Sequence, residues 1–260
     1  MRRLMFIILV CLIFCPAESF AAMPEFVWAG GSLMVSDQSS PGYMADTMIS
    51  FGSYNSVVFF ADPMLTLRHE KLGISLGGGG RFPMFSGEII GGLNGYFDYN
   101  NDHNHRRFGI GAEAFHKYGS AYFNAYFPTS GLNDGEEALP GFDINVCIPI
   151  PNYAFITIWP GIYYYSGNHE DSLTGGSIKV QVQPIKPLQV YLGFRGDAPE
   201  SGRNKGEVFA GIDITIPITG FDIDKMIKFY NPEYPLNINS QMDSRVVRER
   251  FISYENHDGE

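Results

Sequence analysis

The chain has 260 residues and a formal net charge of −10, with only 18 lysines and arginines. This acidic balance argues against nucleic acid as a partner, because binding to a phosphate backbone needs a cationic surface. The mean hydropathy is −0.07, and no apolar run after position 21 reaches the roughly 20 residues of a spanning helix. Any insertion of the mature chain into a membrane must therefore use strands.

The N-terminal segment has the features of a signal peptide. Arg2 and Arg3 precede an apolar run over Leu4–Cys15, and Ser19–Ala21 supplies small residues where a signal peptidase cuts. We therefore expect residues 1–21 to be removed on export. An uncleaved anchor is the alternative, but the apolar run is shorter than a spanning helix requires.

Strict alternation between apolar and other residues marks the strands. In Val208–Ile218, valine, alanine and isoleucine occupy the even positions, whereas Phe, Gly, Asp, Thr and Pro occupy the odd ones. A period of two is that of a β-strand, and runs of about ten residues match a tilted strand that crosses a bilayer. The pattern predicts an all-β fold, a single antiparallel transmembrane β-barrel.

Twelve strands are predicted in chain order. They cover residues 26–34, 44–53, 56–66, 72–81, 87–99, 105–116, 119–127, 141–148, 154–166, 173–183, 187–196 and 206–218. Longer polar connections alternate with short ones, as in outer-membrane barrels with long outer loops and tight periplasmic turns. The barrel therefore extends over residues 26–218, and residues 219–260 form a C-terminal tail.

Parity assigns the two faces of each strand. Phe108, Ile110 and Ala112 share one face, while Arg107 and Glu113 lie on the other. A charge on the lipid face costs up to about 2 to 4 kcal/mol at the midplane, so the charged face must be the lumen. The predicted lumen charge network consists of Arg81, Glu88, Asp98, Arg107, Glu113, Asp143, Lys179, Arg195 and Asp213. The mixture of signs predicts a cross-braced interior.

Several aromatic residues could contribute to membrane-interface girdles. The candidates are Trp28, Trp159, Tyr163, Tyr164 and Tyr165, although parity requires some of them to point inward.

The tail begins with a helix signal. Asp222 is a suitable N-cap for a helix in which Ile223, Met226, Ile227 and Tyr230 share one face. The whole tail of 42 residues, helix included, can extend to at most about 140 Å, whereas a whole bilayer is about 40 to 45 Å thick.

Three tail arginines complement the lumen. Arg245, Arg248 and Arg250 are expected to pair with the lumen's Glu88, Glu113, Asp143 or Asp213. These charges favour a tail that runs back through the barrel and ends outside, and a periplasmic tail is the alternative.

Chemical motifs are weak in this chain. His103 and His105 could bind a metal with Asp102, but two loop histidines without an orienting partner more often face solvent. Paired carboxylates could serve a hydrolase, yet no local serine–histidine pattern accompanies them. We therefore predict no catalytic residue, no metal, no cofactor and no enzymatic activity.

Several segments together carry a resemblance to a known family. They are Gly73–Phe82, Gly92–Asp98, His105–Glu113, Asn124–Phe127, Gly141–Ile144 and Val246–Arg248. Their order and spacing over residues 56–252 resemble the β-domain of the intimin and invasin family, the inverse autotransporters. The resemblance implies a twelve-stranded outer-membrane barrel that anchors a surface-exposed passenger and helps to export it. In that family, the segment resembling Val246–Arg248 leaves through the pore.

The resemblance sets the expected function. We expect an anchor or translocator in the outer membrane of a Gram-negative bacterium, in contact with lipid and with the insertion machinery, and with a host-surface receptor as a further partner. Only 42 residues follow the last predicted strand, so we expect no large passenger. The alternative is a narrow porin-like or purely structural barrel.

Overall fold

The computed structural model describes residues 23–101, 103–133, 135–167, 172–197 and 206–256. The predicted signal peptide lies outside these residues, so its cleavage stays a prediction. Among the described residues, helices are too short or too polar to traverse a bilayer.

Antiparallel strands form one closed sheet. The strands are β1 (Glu25–Ser36), β2 (Gly42–Tyr54), β3 (Val57–Ala61), β4 (Met64–Arg68), β5 (Lys71–Met84), β6 (Ile89–Asn100), β7 (Arg106–His116), β8 (Gly119–Pro128), β9 (Glu136–Ala138), β10 (Gly141–Ile150), β11 (Tyr153–Tyr165), β12 (Leu173–Ile185), β13 (Leu188–Asp197), β14 (Gly206–Pro217) and β15 (Tyr254–Asn256). All except β9 and β15 belong to the barrel, and β1 pairs with both β2 and β14. The predicted all-β barrel is confirmed.

The third barrel strand is interrupted. Both β3 and β4 lie between β2 and β5, so they count as one strand and the described barrel has twelve. The interruption falls at Asp62-Pro63, where the proline has no N–H to donate to a neighbouring strand. Asp62 is buried, and its carboxylate accepts a 2.9 Å hydrogen bond from the hydroxyl of Tyr96. The sequence predicted one continuous strand here.

The outer face of the barrel is an apolar belt. Leu93 is 60% exposed, Ile110 55% and Leu192 61%, while their sequence neighbours Asn94 and Tyr191 are buried. Since charge and hydrogen-bonding groups point inward, these exposed side chains are those that contact lipid.

We expect Leu192→Arg to destabilise the folded barrel by about 2 to 4 kcal/mol, because it places a charge near the midplane of the lipid face. Gln189→Arg is the matched control, since Gln189 lines the lumen and pairs in register with Asp213. Urea titration of the heat-modifiable folded band measures both. Equal losses for the two variants would contradict the assigned faces.

The two ends of the barrel differ. The end with the tight turns Asn55-Ser56 and Lys117-Tyr118 is called the turn end. The opposite end, at which β1, β6 and β8 finish, is called the loop end. Because β14 runs toward the turn end, the tail begins there.

The first part of the tail follows the rim of the turn end. Asp222 accepts a 3.3 Å hydrogen bond from the backbone N–H of Lys225 and caps α1 (Ile223–Met226). This bears out the predicted cap, but the helix is shorter than predicted. It ends early because Phe229 forms an isolated β-bridge with Ile185 of β12.

The second part of the tail crosses the lumen. The N–H of Leu236 donates to the carbonyl of Lys117 at the turn end (2.9 Å). At the loop end, β15 pairs antiparallel with β9, and Tyr254 lies opposite Ala138. The intervening residues 241–252 contact inward-facing side chains of the barrel.

Candidate functional site: the tail within the lumen

Arg81 joins the barrel wall to the tail. Its guanidinium is fully buried and donates from Nε to Oε2 of Glu113 at 2.8 Å. Its Nη1 donates to the carbonyls of Met242 (2.8 Å) and Ser244 (2.6 Å). A longer bond of 3.2 Å reaches the carbonyl of Gln241. One side chain therefore neutralises a buried carboxylate and donates to three tail carbonyls.

Gly92 makes the pairing of Arg81 and Glu113 possible. Arg81 on β5 and Glu113 on β7 both lie opposite Gly92 of the strand between them. A Cβ at Gly92 would lie 2.8 Å from Oε2 of Glu113 and 3.3 Å from Cγ of Arg81. The glycine leaves the space in which the two long side chains meet.

Asp98 is shared by two arginines. It lies opposite Arg107 in the register of β6 and β7 and accepts a 2.7 Å bond from Arg107 Nε. Arg248 of the tail donates to both carboxylate oxygens at 3.0 Å, and its guanidinium lies 3.9 Å from the ring centroid of Tyr96. Such charge-assisted bonds in a buried site hold the tail firmly.

A second acidic cluster receives the other two arginines. Nε of Arg245 lies 2.8 Å from Oδ2 of Asp46, and Asp213 lies 3.8 Å from both Arg245 and Arg250. The hydroxyl of Ser32 also donates to Asp213. Asp213 was one of the four acids expected to pair with the tail arginines. The other two acids that these arginines bind, Asp46 and Asp98, were not among the four.

Asp143 organises a polar network of amide groups and a hydroxyl. Its carboxylate accepts bonds from the amide of Asn124 (2.9 Å), the hydroxyl of Tyr126 (2.5 Å) and the amide of Asn145 (2.7 Å). The hydroxyl of Tyr126 in turn accepts the backbone N–H of Glu249 at 2.7 Å. The network thus extends to the tail.

Of the remaining predicted lumen residues, Lys179 and Arg195 line the lumen, whereas Glu88 does not. The ammonium of Lys179 lies 4.4 Å from the ring centroid of Trp159, and Arg195 Nη2 lies 3.0 Å from Oε2 of Glu249. Glu88 is exposed in the connection between β5 and β6, so its predicted place in the lumen is wrong. The chain leaves β5 at Phe85, which has a positive φ, and β6 begins only after Glu88.

Both tryptophans lie inside the barrel. Trp28 is 3% exposed, and its Nε1 donates to the carbonyl of Asp243 at 2.8 Å. It packs with Met48, Phe60 and Val246 of the tail. The suggestion that Trp28 and Trp159 belong to interface girdles is therefore wrong.

The tail does not fill the lumen. Its contacts concentrate on β1 to β8, and a cavity of about 1130 Å³ lies beside the wall formed by β10 to β14. Its lining includes Cys147, Lys179, Gln181, Tyr191 and Asp213. The space is polar, aromatic and mixed in charge.

Comparisons with known proteins support this architecture. A solved structure described as "Unveiling the Mechanism Behind the in-meso Crystallization of Membrane Proteins" is similar with a TM-score of 0.74 and 17% identity, covering 89% of this chain and 99% of that chain. The KdgM porin is similar at 0.50 and 12%, covering 72% and 98%. The COG4313 outer membrane channel from Pseudomonas putida F1 is similar at 0.52 and 9%, covering 77% and 99%. These likenesses concern the fold.

The family assignment comes from the sequence. No curated protein matches the chain. The family model "Inverse autotransporter, beta-domain" matches residues 23–179, which is more than half of the chain. The resemblance to inverse autotransporters is thereby confirmed. The protein belongs to the inverse autotransporter β-domain family and is an outer-membrane β-barrel.

Proposed function

We propose that the barrel is a membrane anchor and translocator that holds its own C-terminal segment at the cell surface. The pairing of β15 with β9 at the loop end carries this proposal, because it ties the end of the tail to the far side of the barrel from β14. In outer-membrane barrels the longer loops face outward.

The lumen contacts support a tail that stays in place after export. Arg81, Arg107 and Arg248 use buried guanidinium groups to bind across the wall and the tail. Removing one partner of such a buried pair is strongly unfavourable, so a threaded tail is retained. Anchoring of this kind needs no reaction. A tail end held at the loop end would be available for surface attachment, in the manner of intimin and invasin, to a receptor on a host surface.

Labelling of intact cells tests this orientation. With Cys147 replaced by serine, a single cysteine at position 256 is expected to react with a membrane-impermeant thiol reagent. A single cysteine at Asn55, in a turn-end connection, serves as the matched control and is expected to react only after the outer membrane is opened. Position 256 behaving like position 55 would overturn the proposal.

A narrow channel is the second candidate function. The cavity of about 1130 Å³ beside the tail supports it, since its lining reaches from Ser39 near the loop end to Lys186 near the turn end. Conductance of the intact protein distinguishes a leak along this space from a fully plugged anchor.

A further inference from the structure

Two histidines and a glutamate meet at the loop end. His103 and His105 precede β7, and Glu136 begins β9. Nδ1 of His103 lies 2.9 Å from Oε2 of Glu136, and Nε2 of His105 lies 3.6 Å from the same oxygen. All three atoms lie within 4.8 Å of one another. The expectation that both histidines face solvent is wrong for His105, which is 1% exposed. Asp102 lies outside the described residues.

The spacing suits a tetrahedral metal ion. Zinc binds histidine nitrogen at about 2.0 to 2.1 Å and carboxylate oxygen at about 2.0 to 2.2 Å, so two ligand atoms lie about 3.3 Å apart. The separations of 2.9 and 3.6 Å lie on either side of that value. Each histidine–glutamate separation would therefore need to change by only a few tenths of an ångström.

The ligand types select the class of metal. Calcium and magnesium prefer oxygen ligands, whereas imidazole nitrogen suits zinc and its first-row neighbours. Two imidazoles with one carboxylate form a frequent zinc ligand set that leaves a fourth position for water.

The surroundings of Glu136 support a cation. Its Oε2 is buried and faces two imidazole nitrogens, but among the described residues it makes no hydrogen bond of good geometry. Such a poorly satisfied buried carboxylate oxygen is costly, and a divalent ion between the oxygen and the two nitrogens removes the cost. The ring of His105 also stacks against Tyr254 of β15, with centroids 6.0 Å apart. The tail's last strand therefore helps to orient a ligand.

We propose that His103, His105 and Glu136 bind one zinc ion, with water as the fourth ligand. The ion fastens the connection between β6 and β7 to β9, the strand that receives the tail. Zinc would thus lock the outer mouth around the exported segment.

Zinc titration of the full chain tests the site. The protein is refolded in detergent, stripped with a chelator and titrated with zinc chloride in a calorimeter. We expect one ion per chain. His103→Ala and Glu136→Gln are each expected to weaken zinc binding by about 100-fold or more. Removing only a residue that supports a metal ligand already costs about 10- to 100-fold in affinity, and these variants remove a ligand itself.

Two control variants guard against non-specific binding. His69→Asn changes an exposed histidine in the β4–β5 turn, and Glu137→Gln changes the neighbour of Glu136 in β9. Both are expected to bind zinc like the parent. Heat-modifiable migration without zinc establishes that each variant is folded before the titration.

Two results would overturn the zinc site. One is a parent protein that binds no zinc at micromolar concentrations, and the other is equal affinity in the parent, the site variants and the controls. Because this titration does not depend on which end of the barrel faces outward, its failure leaves the anchoring proposal intact.

Discussion

Arg81→Met is expected to remove about 3 to 5 kcal/mol from the free energy of unfolding. Methionine keeps much of the volume but leaves Glu113 as a buried carboxylate without its 2.8 Å partner. The carbonyls of Met242 and Ser244 lose the same donor. Few single substitutions have effects of this size, and stranding a buried charge is one of the mechanisms that produce them. Urea-induced unfolding of the detergent-refolded protein measures it.

A double variant separates the stranded charge from lost packing. Arg81→Met with Glu113→Leu is expected to recover more than half of the loss, since an apolar pair can replace a buried ion pair at little cost. Arg106→Met, at an exposed arginine of the same barrel, is the control and is expected to change stability by less than about 0.5 kcal/mol. A double variant as unstable as Arg81→Met would show that the charge of Glu113 is not the cause.

Alternation predicted the faces of the strands because burial in a barrel has the same period as the pleat. It placed Arg81, Asp98, Arg107 and Glu113 on the inner face, where the structure has them. It could not pair them. The contact between Arg81 and Glu113 depends on the register of three strands at Gly92, and register is set by neighbours that are distant in sequence.

Some lumen residues escaped sequence reasoning for a different reason. Asp46 shares its face with Met44 and Met48, so that face looked apolar, although parity would have placed the carboxylate inside. The interruption at Asp62-Pro63 had a signal in the proline, which cannot donate in the middle of a sheet.

The loop-end elements had the weakest signals. Both β9 and β15 are three residues long, too short for a period to be read. Likewise, only the tertiary fold brings His105 close to Glu136. The sequence alone therefore favoured histidines that face solvent. The charge of the tail correctly indicated that its arginines bind acids of the lumen. Which acids they bind depends on the path of the tail, and this path could not be read from the sequence.

Replacing Arg245, Arg248 and Arg250 together by alanine is expected to free the tail and raise the single-channel conductance several-fold. The substitutions remove the contacts to Asp46, Asp98 and Asp213 that hold residues 241–252 against the wall. Water then enters the space that the tail occupied and joins the cavity of about 1130 Å³. The exposed acids are hydrated, so the barrel itself stays folded, and the lumen should become cation-selective.

Planar-bilayer recording in a potassium chloride gradient measures both the conductance and the selectivity of this triple variant. The parent is expected to show small steps, because its tail is held across the lumen by Arg81 as well as by its own arginines. Arg106→Ala is the matched control, since this exposed arginine lies near Tyr99 on the barrel and should leave the currents unchanged. A triple variant with the conductance of the parent would mean that packing of Val246 and Val247 against the inner aromatic residues, and not the ion pairs, retains the tail. A parent that already conducts as a wide, steadily open pore would instead favour the porin-like function.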